Sequence, residues 1–149
     1  METTLLTAID HVGIAVRDLE AAVAWYRRVL GAEVAHRERV ESQAVDEVLL
    51  EVGDSFVQLL TPLSPESPVG RFLERRGEGI HHVAYRVDDC AAALAAAVAA
   101  GAQAVDASPR PGSRGTTVAF LHPKGAFGTL VELVEVSGLG HPRPHLRHQ

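Results

Sequence analysis

The stretch GIHHVAYRVDD, residues 79–89, sets two histidines side by side at the start of a predicted strand. Successive side chains of a strand point to opposite faces, so His81 and His82 cannot both look into one site. The chain itself picks between them. HVGIAVRDLEAAVAWYRRVLGAEV, residues 11–34, lies over HVAYRVDDCAAALAAAVAAGAQAV, residues 82–105, with His11 on His82, Val12 on Val83, Val16 on Val87, Asp18 on Asp89 and Ala22 on Ala93. His82 has a partner and His81 is the bystander. A second match, FVQLLTP against LVELVEV, sets Gln58 on Glu132. Four donors, His11, Gln58, His82 and Glu132, therefore fall at two equivalent places in two equivalent modules. Two imidazoles, one carboxylate and one amide oxygen suit a divalent ion such as cobalt, manganese, nickel, iron or zinc, with coordination positions left for a ligand.

The elements that must position these donors repeat as well. In the first copy Asp18 is the predicted N-cap of a helix whose apolar stripe is Leu19, Ala22, Val23, Tyr26, Val29 and Leu30, stopped by Gly31. In the second, Asp88 or Asp89 caps an Ala-rich helix running through Ala100, with Leu94 and Val98 inward and Gly101 as its stop. Strands are expected near Glu33 to Val40, Asp46 to Glu51 and Ser55 to Leu60, then near Ala102 to Val105, Thr116 to His122 and Thr129 to Val136. The order strand, helix, three strands is thus used twice. This organises the chain as one α+β domain: module one at about 8–62, a proline-bearing linker with a short helix at about 63–78, module two at about 79–137, and a flexible tail at 138–149. His141, His145 and His148 in that tail are candidates only for nonspecific metal capture.

The chain has 149 residues, long enough to bury a core, and 46% of them are hydrophobic. Its net charge of −5 argues against a general nucleic-acid or anionic-membrane binder. The lone cysteine, Cys90, reads as a small buried hydrophobe and cannot form an intrachain bridge. The N-terminal stretch METTLLTAIDHVG shows neither a basic flank nor a long apolar run, so a cytoplasmic protein is expected.

The pattern IDHVGIAV with a downstream Gln, repeated as HHVAYRV with VELVE, resembles the vicinal oxygen chelate superfamily, which includes glyoxalase I and extradiol dioxygenases. The segments QAVDEVLLEVG, VQLLTPL, SPVGRFLERRGEGIHHVAYRVDD, PRPGSRGTTVAFLHPK and GTLVELVE resemble, in the same order, those of the methylmalonyl-CoA epimerase family within it. That resemblance implies two βαβββ modules forming a curved, incomplete eight-stranded barrel, a divalent metal with cobalt foremost, and a homodimer. It makes His11, Gln58, His82 and Glu132 the metal ligands. It makes Glu47 and Glu132 the two acid/bases that move the C2 proton of methylmalonyl-CoA through a metal-stabilised enolate. Ala44 departs from the family's usual glycine, which bears on the local turn.

A CoA substrate carries phosphates, so a basic rim is expected. Arg110, Arg114 and Lys124 are the candidates, with Ser113 and Gly115 as backbone donors and His122 at the pocket edge. The alternatives are a glyoxalase-type isomerase, an extradiol-type dioxygenase, or a metal-free module that binds a small molecule.

Overall fold

In the computed structural model, which describes residues 5–137, the chain divides into two compact units. One is His11–His81; the other joins the residues up to Asp10 with those from His82 onward. The predicted tail, with its three histidines, lies outside the described residues.

In the His11–His81 unit, β1 (Ala8–Ala15, entering from the other unit) is followed by α1 (Leu19–Leu30), β2 (Val34–Val40), β3 (Val45–Val52), β4 (Ser55–Pro62) and α2 (Pro68–Arg76). The sheet order is β2-β3-β4-β1; β1 and β4 run parallel and the other pairs antiparallel. Asp18 caps α1 by accepting from Ala21 N at 3.0 Å, and Gly31 ends it in the left-handed conformation at φ 65°. Leu19 and Val23 bury against Val48, Leu50 and Leu59 on one face of the sheet. Each such fully buried aliphatic side chain contributes about 1.5–3 kcal/mol. The expected stripe does not hold to the helix end. Val29 and Leu30 are exposed, because the apolar partners lie under the first two turns of the helix. Ser67 caps α2, accepting from Gly70 N at 3.2 Å. A Cβ on Gly70 would come within 2.5 Å of the carbonyl oxygens of Ser64 and Pro65, so only glycine allows this approach.

The other unit repeats the plan. It holds β5 (Gly79–Arg86, entering from the first unit), α3 (Cys90–Ala99), β6 (Arg110–Pro111), β7 (Thr117–Leu121) and β8 (Val131–Glu135), in the order β5-β8-β7-β6. Here β5 and β8 are the parallel pair. Asp89, not Asp88, caps α3, accepting from Ala92 N at 3.0 Å. Cys90, Ala93 and Leu94 bury against Ala119 and Leu133, whereas Val98, expected inward, is exposed one turn beyond them.

The strand expected at Ala102 to Val105 is not a strand. That segment touches β7 through a single bridge between Ala104 and Leu121, after which the Asp106 side chain takes the N–H of Phe120 at 2.8 Å. The edge partner of β7 is instead Arg110–Pro111, and a proline there blocks further pairing. Among the described residues, no helix is long and apolar enough to cross a membrane.

The turn between β2 and β3 carries a measurable strain. Ala44 sits at φ 56° and ψ 43°. A Cβ in this left-handed region costs about 1–2 kcal/mol. Ala44→Gly relieves it but gives the unfolded chain extra freedom worth about 0.4–1 kcal/mol. The net expectation is a rise in the urea midpoint, up to about 1.6 kcal/mol in stability; a fall would show that the turn is unstrained.

Candidate functional site

Strand register collects the polar donors onto one face in each unit. In the His11–His81 unit, Gly13 of β1 pairs with Gln58 of β4, so His11, two residues before Gly13, shares the face of Gln58. Gln58 also pairs with Leu49 of β3, which brings Glu47 to the same face by the same two-residue step. All three polar side chains are buried, with exposures of 4% for His11, 4% for Gln58 and 1% for Glu47. The amide Nε2 of Gln58 donates to Glu47 Oε1 at 2.5 Å. This fixes the amide orientation and leaves Gln58 Oε1, also buried, with no hydrogen-bond donor among the described residues. A buried amide oxygen without a donor is costly, and a cation is a natural partner for it.

The other unit repeats the register. Ala84 of β5 pairs with Glu132 of β8, and His82, two residues before Ala84, shares its face. Both side chains are buried, and His82 Nε2 stands 3.0 Å from Glu132 Oε1. Phe120, paired with Glu132 across β7 and β8, sets its ring edge-on to His82 at 5.6 Å between centroids. The imidazole of His82 and the carboxylate of Glu132 thus stand side by side, buried next to an aromatic ring, and both are donor types that hold a divalent ion. His81, the bystander, points to the other face of β5, where its ring meets Phe72 at 4.9 Å.

The expected rim residues fall in different surroundings. Arg110 lies on the face of Glu132, its guanidinium 5.6 Å over the Phe120 ring, and is ion-paired to Asp106 at 3.2 Å. Arg114, in the short turn Ser113–Gly115, points inward, and Nη2 donates to Asp10 Oδ2 at 2.7 Å. The Ser113 carbonyl is taken up by Thr116 within that turn. His122 is exposed and caps the turn Pro123–Gly125, Nδ1 accepting from Lys124 N at 3.0 Å, so it closes a strand end.

Two groups escaped the reading of the sequence. Asp10 is fully buried and held by Arg86 Nε and Arg114 Nη2, each at 2.7 Å. The signal was its place one residue before His11, on the opposite strand face. The other group is His36 and Glu38 on β2, whose two-residue spacing puts both on the face of Glu47.

Against known proteins, the chain matches the family model of the glyoxalase/bleomycin resistance protein/dioxygenase superfamily over residues 10–120. It belongs to that superfamily. Within it, the chain is 41% identical to the ethylmalonyl-CoA/methylmalonyl-CoA epimerase of Cereibacter sphaeroides, over 89% of this chain and 100% of that one. It also resembles a variant of the Streptomyces coelicolor methylmalonyl-CoA epimerase in complex with 2-nitronate-propionyl-CoA: TM-score 0.87, 42% identity, 89% of this chain and 99% of that chain. A second similar structure is a methylmalonyl-CoA epimerase in complex with methylmalonyl-CoA and NH4+, at TM-score 0.88 and 42% identity, over 92% and 99% of the two chains.

Two measurements test this geometry. Asp10→Asn leaves Arg86 and Arg114 facing a neutral amide, and breaking such a buried pair costs about 3–5 kcal/mol. Denaturant unfolding should register that loss; a change under about 1 kcal/mol would place the pair among solvated surface bridges. Cys90 is fully buried, and burial, reinforced by Glu135, pushes its thiol up to about 11 from an ordinary 9.0. A thiol reagent at pH 8 should therefore label the native protein far more slowly than the denatured chain. Above pH 9 the unfolded thiol ionises first, so stability should fall as pH rises toward 11.

Proposed function

We propose that the chain interconverts (2R)- and (2S)-methylmalonyl-CoA by removing the C2 proton and returning one to the opposite face. The observation that carries this reading is Glu47: a carboxylate 1% exposed, oriented by Gln58 and placed beside a face of buried metal-type donors. Burying a carboxylate is costly, and such groups concentrate at sites of chemistry. The relatives named methylmalonyl-CoA epimerase support the substrate class.

His11, Gln58, His82 and Glu132 are the residues that would hold a divalent ion. The donorless Gln58 Oε1 and the close His82 and Glu132 fit that role. When bound, the ion supplies Lewis acidity toward the substrate's oxygens. Cobalt as the ion, a homodimer as the assembly and the cytoplasm as the compartment belong to the same proposal and rest on the family resemblance.

Proton transfer then falls to this chain's carboxylates. Glu47 takes the C2 proton from one epimer, leaving an enolate, and Glu132 protonates the other face; the reverse reaction exchanges the roles. Arg110, on the face of Glu132, and the exposed Lys124 are proposed for the CoA phosphates, with Ser113 and Gly115 supplying backbone donors and His122 at the edge. Arg114 acts there by holding its turn to Asp10.

The test is deuterium uptake at C2 of methylmalonyl-CoA in heavy water, with protein stripped of metal and then resupplied with cobalt. Rapid metal-dependent uptake with appearance of the other epimer is expected; none above background would overturn the reading. Glu47→Gln should retain metal and lose at least about 100-fold in exchange from one enantiomer only. Equal losses from both enantiomers would refute the two-base scheme.

A further inference from the structure

A two-base epimerase has a resetting problem that a buried base makes acute. After each turnover in one direction Glu47 holds a proton and Glu132 has lost one. The next substrate of the same configuration needs the opposite state. Glu47 is 1% exposed, so its proton requires a path to water.

The structure offers one on β2, the edge strand in the order β2-β3-β4-β1. Glu38 lies directly across from Glu47 in the β2–β3 register, and His36 is two residues away on the same face. His36 Nε2 and Glu38 Oε1 are hydrogen-bonded at 2.7 Å. One donor atom from each of His36, Glu38 and Glu47 lies within 4.8 Å of the others, a span that a single water bridges where contact is not direct. Exposure rises from the buried Glu47 to the Glu38 and His36 pair, whose side chains are 34% and 33% exposed, so both members of the pair reach water. Proton-carrying groups thus run in series from the base to solvent.

We infer that Glu38 and His36 form the proton exit of Glu47. The inference rests on the proposed two-base reaction. The proton on Glu47 passes to the Glu38 carboxylate, from there to the His36 imidazole, and the imidazolium releases it to water; loading runs in reverse. No electrons move and no other reactant is needed. Neither residue touches the substrate in this scheme. They are positioning residues, acting through Glu47.

The experiment compares the metal-loaded wild type with Glu38→Gln and His36→Asn, following the direction in which Glu47 is the base. The expected result is a first turnover at the wild-type rate followed by steady-state kcat reduced roughly tenfold or more, with KM little changed. Added imidazole should restore kcat in His36→Asn and leave wild type unaffected. Unchanged kcat in both variants, or first turnover and steady state falling together without imidazole rescue, would overturn the relay and leave a structural edge pair. A wild type without epimerisation would sink the functional reading itself, an outcome separate from failure of the relay alone.

Discussion

The placement of the buried histidines and of Gln58 and Glu132 depends on how the first and last strands of each unit pair. Gly13 opposite Gln58 and Ala84 opposite Glu132 are the same parallel register used twice. A slip of one residue would turn every donor to the other face, among the apolar side chains under α1 or α3. Register is held against that slip by burial on both faces: Val48, Leu50 and Leu59 in one unit, and Ala119 and Leu133 in the other, pack under the helix, while Ala15, Val45 and Leu60, or Ala84, Val118 and Val134, pack on the donor face. The apolar core therefore specifies the chemistry on the donor face of the sheet. Helix caps at Asp18 and Asp89 occur at matching points and set where each helix begins to cover it.

Much of this was legible in the residues. The internal repeat exposes the two-module plan and, with strand alternation, singles out His82 from His81, whose ring meets Phe72. The α+β class and both helix starts followed from capping and apolar periodicity. Legibility failed where tertiary pairing outweighs pattern. Ala102–Val105 has the look of a strand, but only one bridge forms there, and the β7 edge is taken by Arg110–Pro111. The outer turns of α1 and α3 have apolar residues at helical spacing but no sheet side chains beneath them, which periodicity cannot reveal.

The site shows a second limit. Residues with a repeat partner were found, because the chain compares them with itself. Asp10 and Arg86 were not, since their contact joins residues far apart in the chain. Glu38 and His36 look like ordinary charges of a solvated edge strand until the register sets Glu38 opposite Glu47. Arg114 looked like a loop cation available to solvent, and its guanidinium faces inward because a buried carboxylate is there to receive it.

The repeat is also incomplete in one place. The position in β7 that corresponds to Glu47 of β3 is Val118, two residues before Phe120 as Glu47 is two residues before Leu49, and it packs with Ala84 and Val134. The proposed proton carriers are therefore not related by the internal symmetry: one borders an edge strand, the other a histidine and an aromatic ring. The two epimers of the substrate, however, differ in free energy hardly at all, because the other stereocentres of coenzyme A lie far from C2. Detailed balance then forces kcat/KM to be nearly equal in the two directions, however unlike the two carboxylates are. Both directions cross the same transition states, so that equality holds whatever the two carboxylates are; in the proposed reaction the asymmetry left by Val118 falls instead on how the free enzyme divides between its two forms, one with the proton on Glu47 and one with it on Glu132.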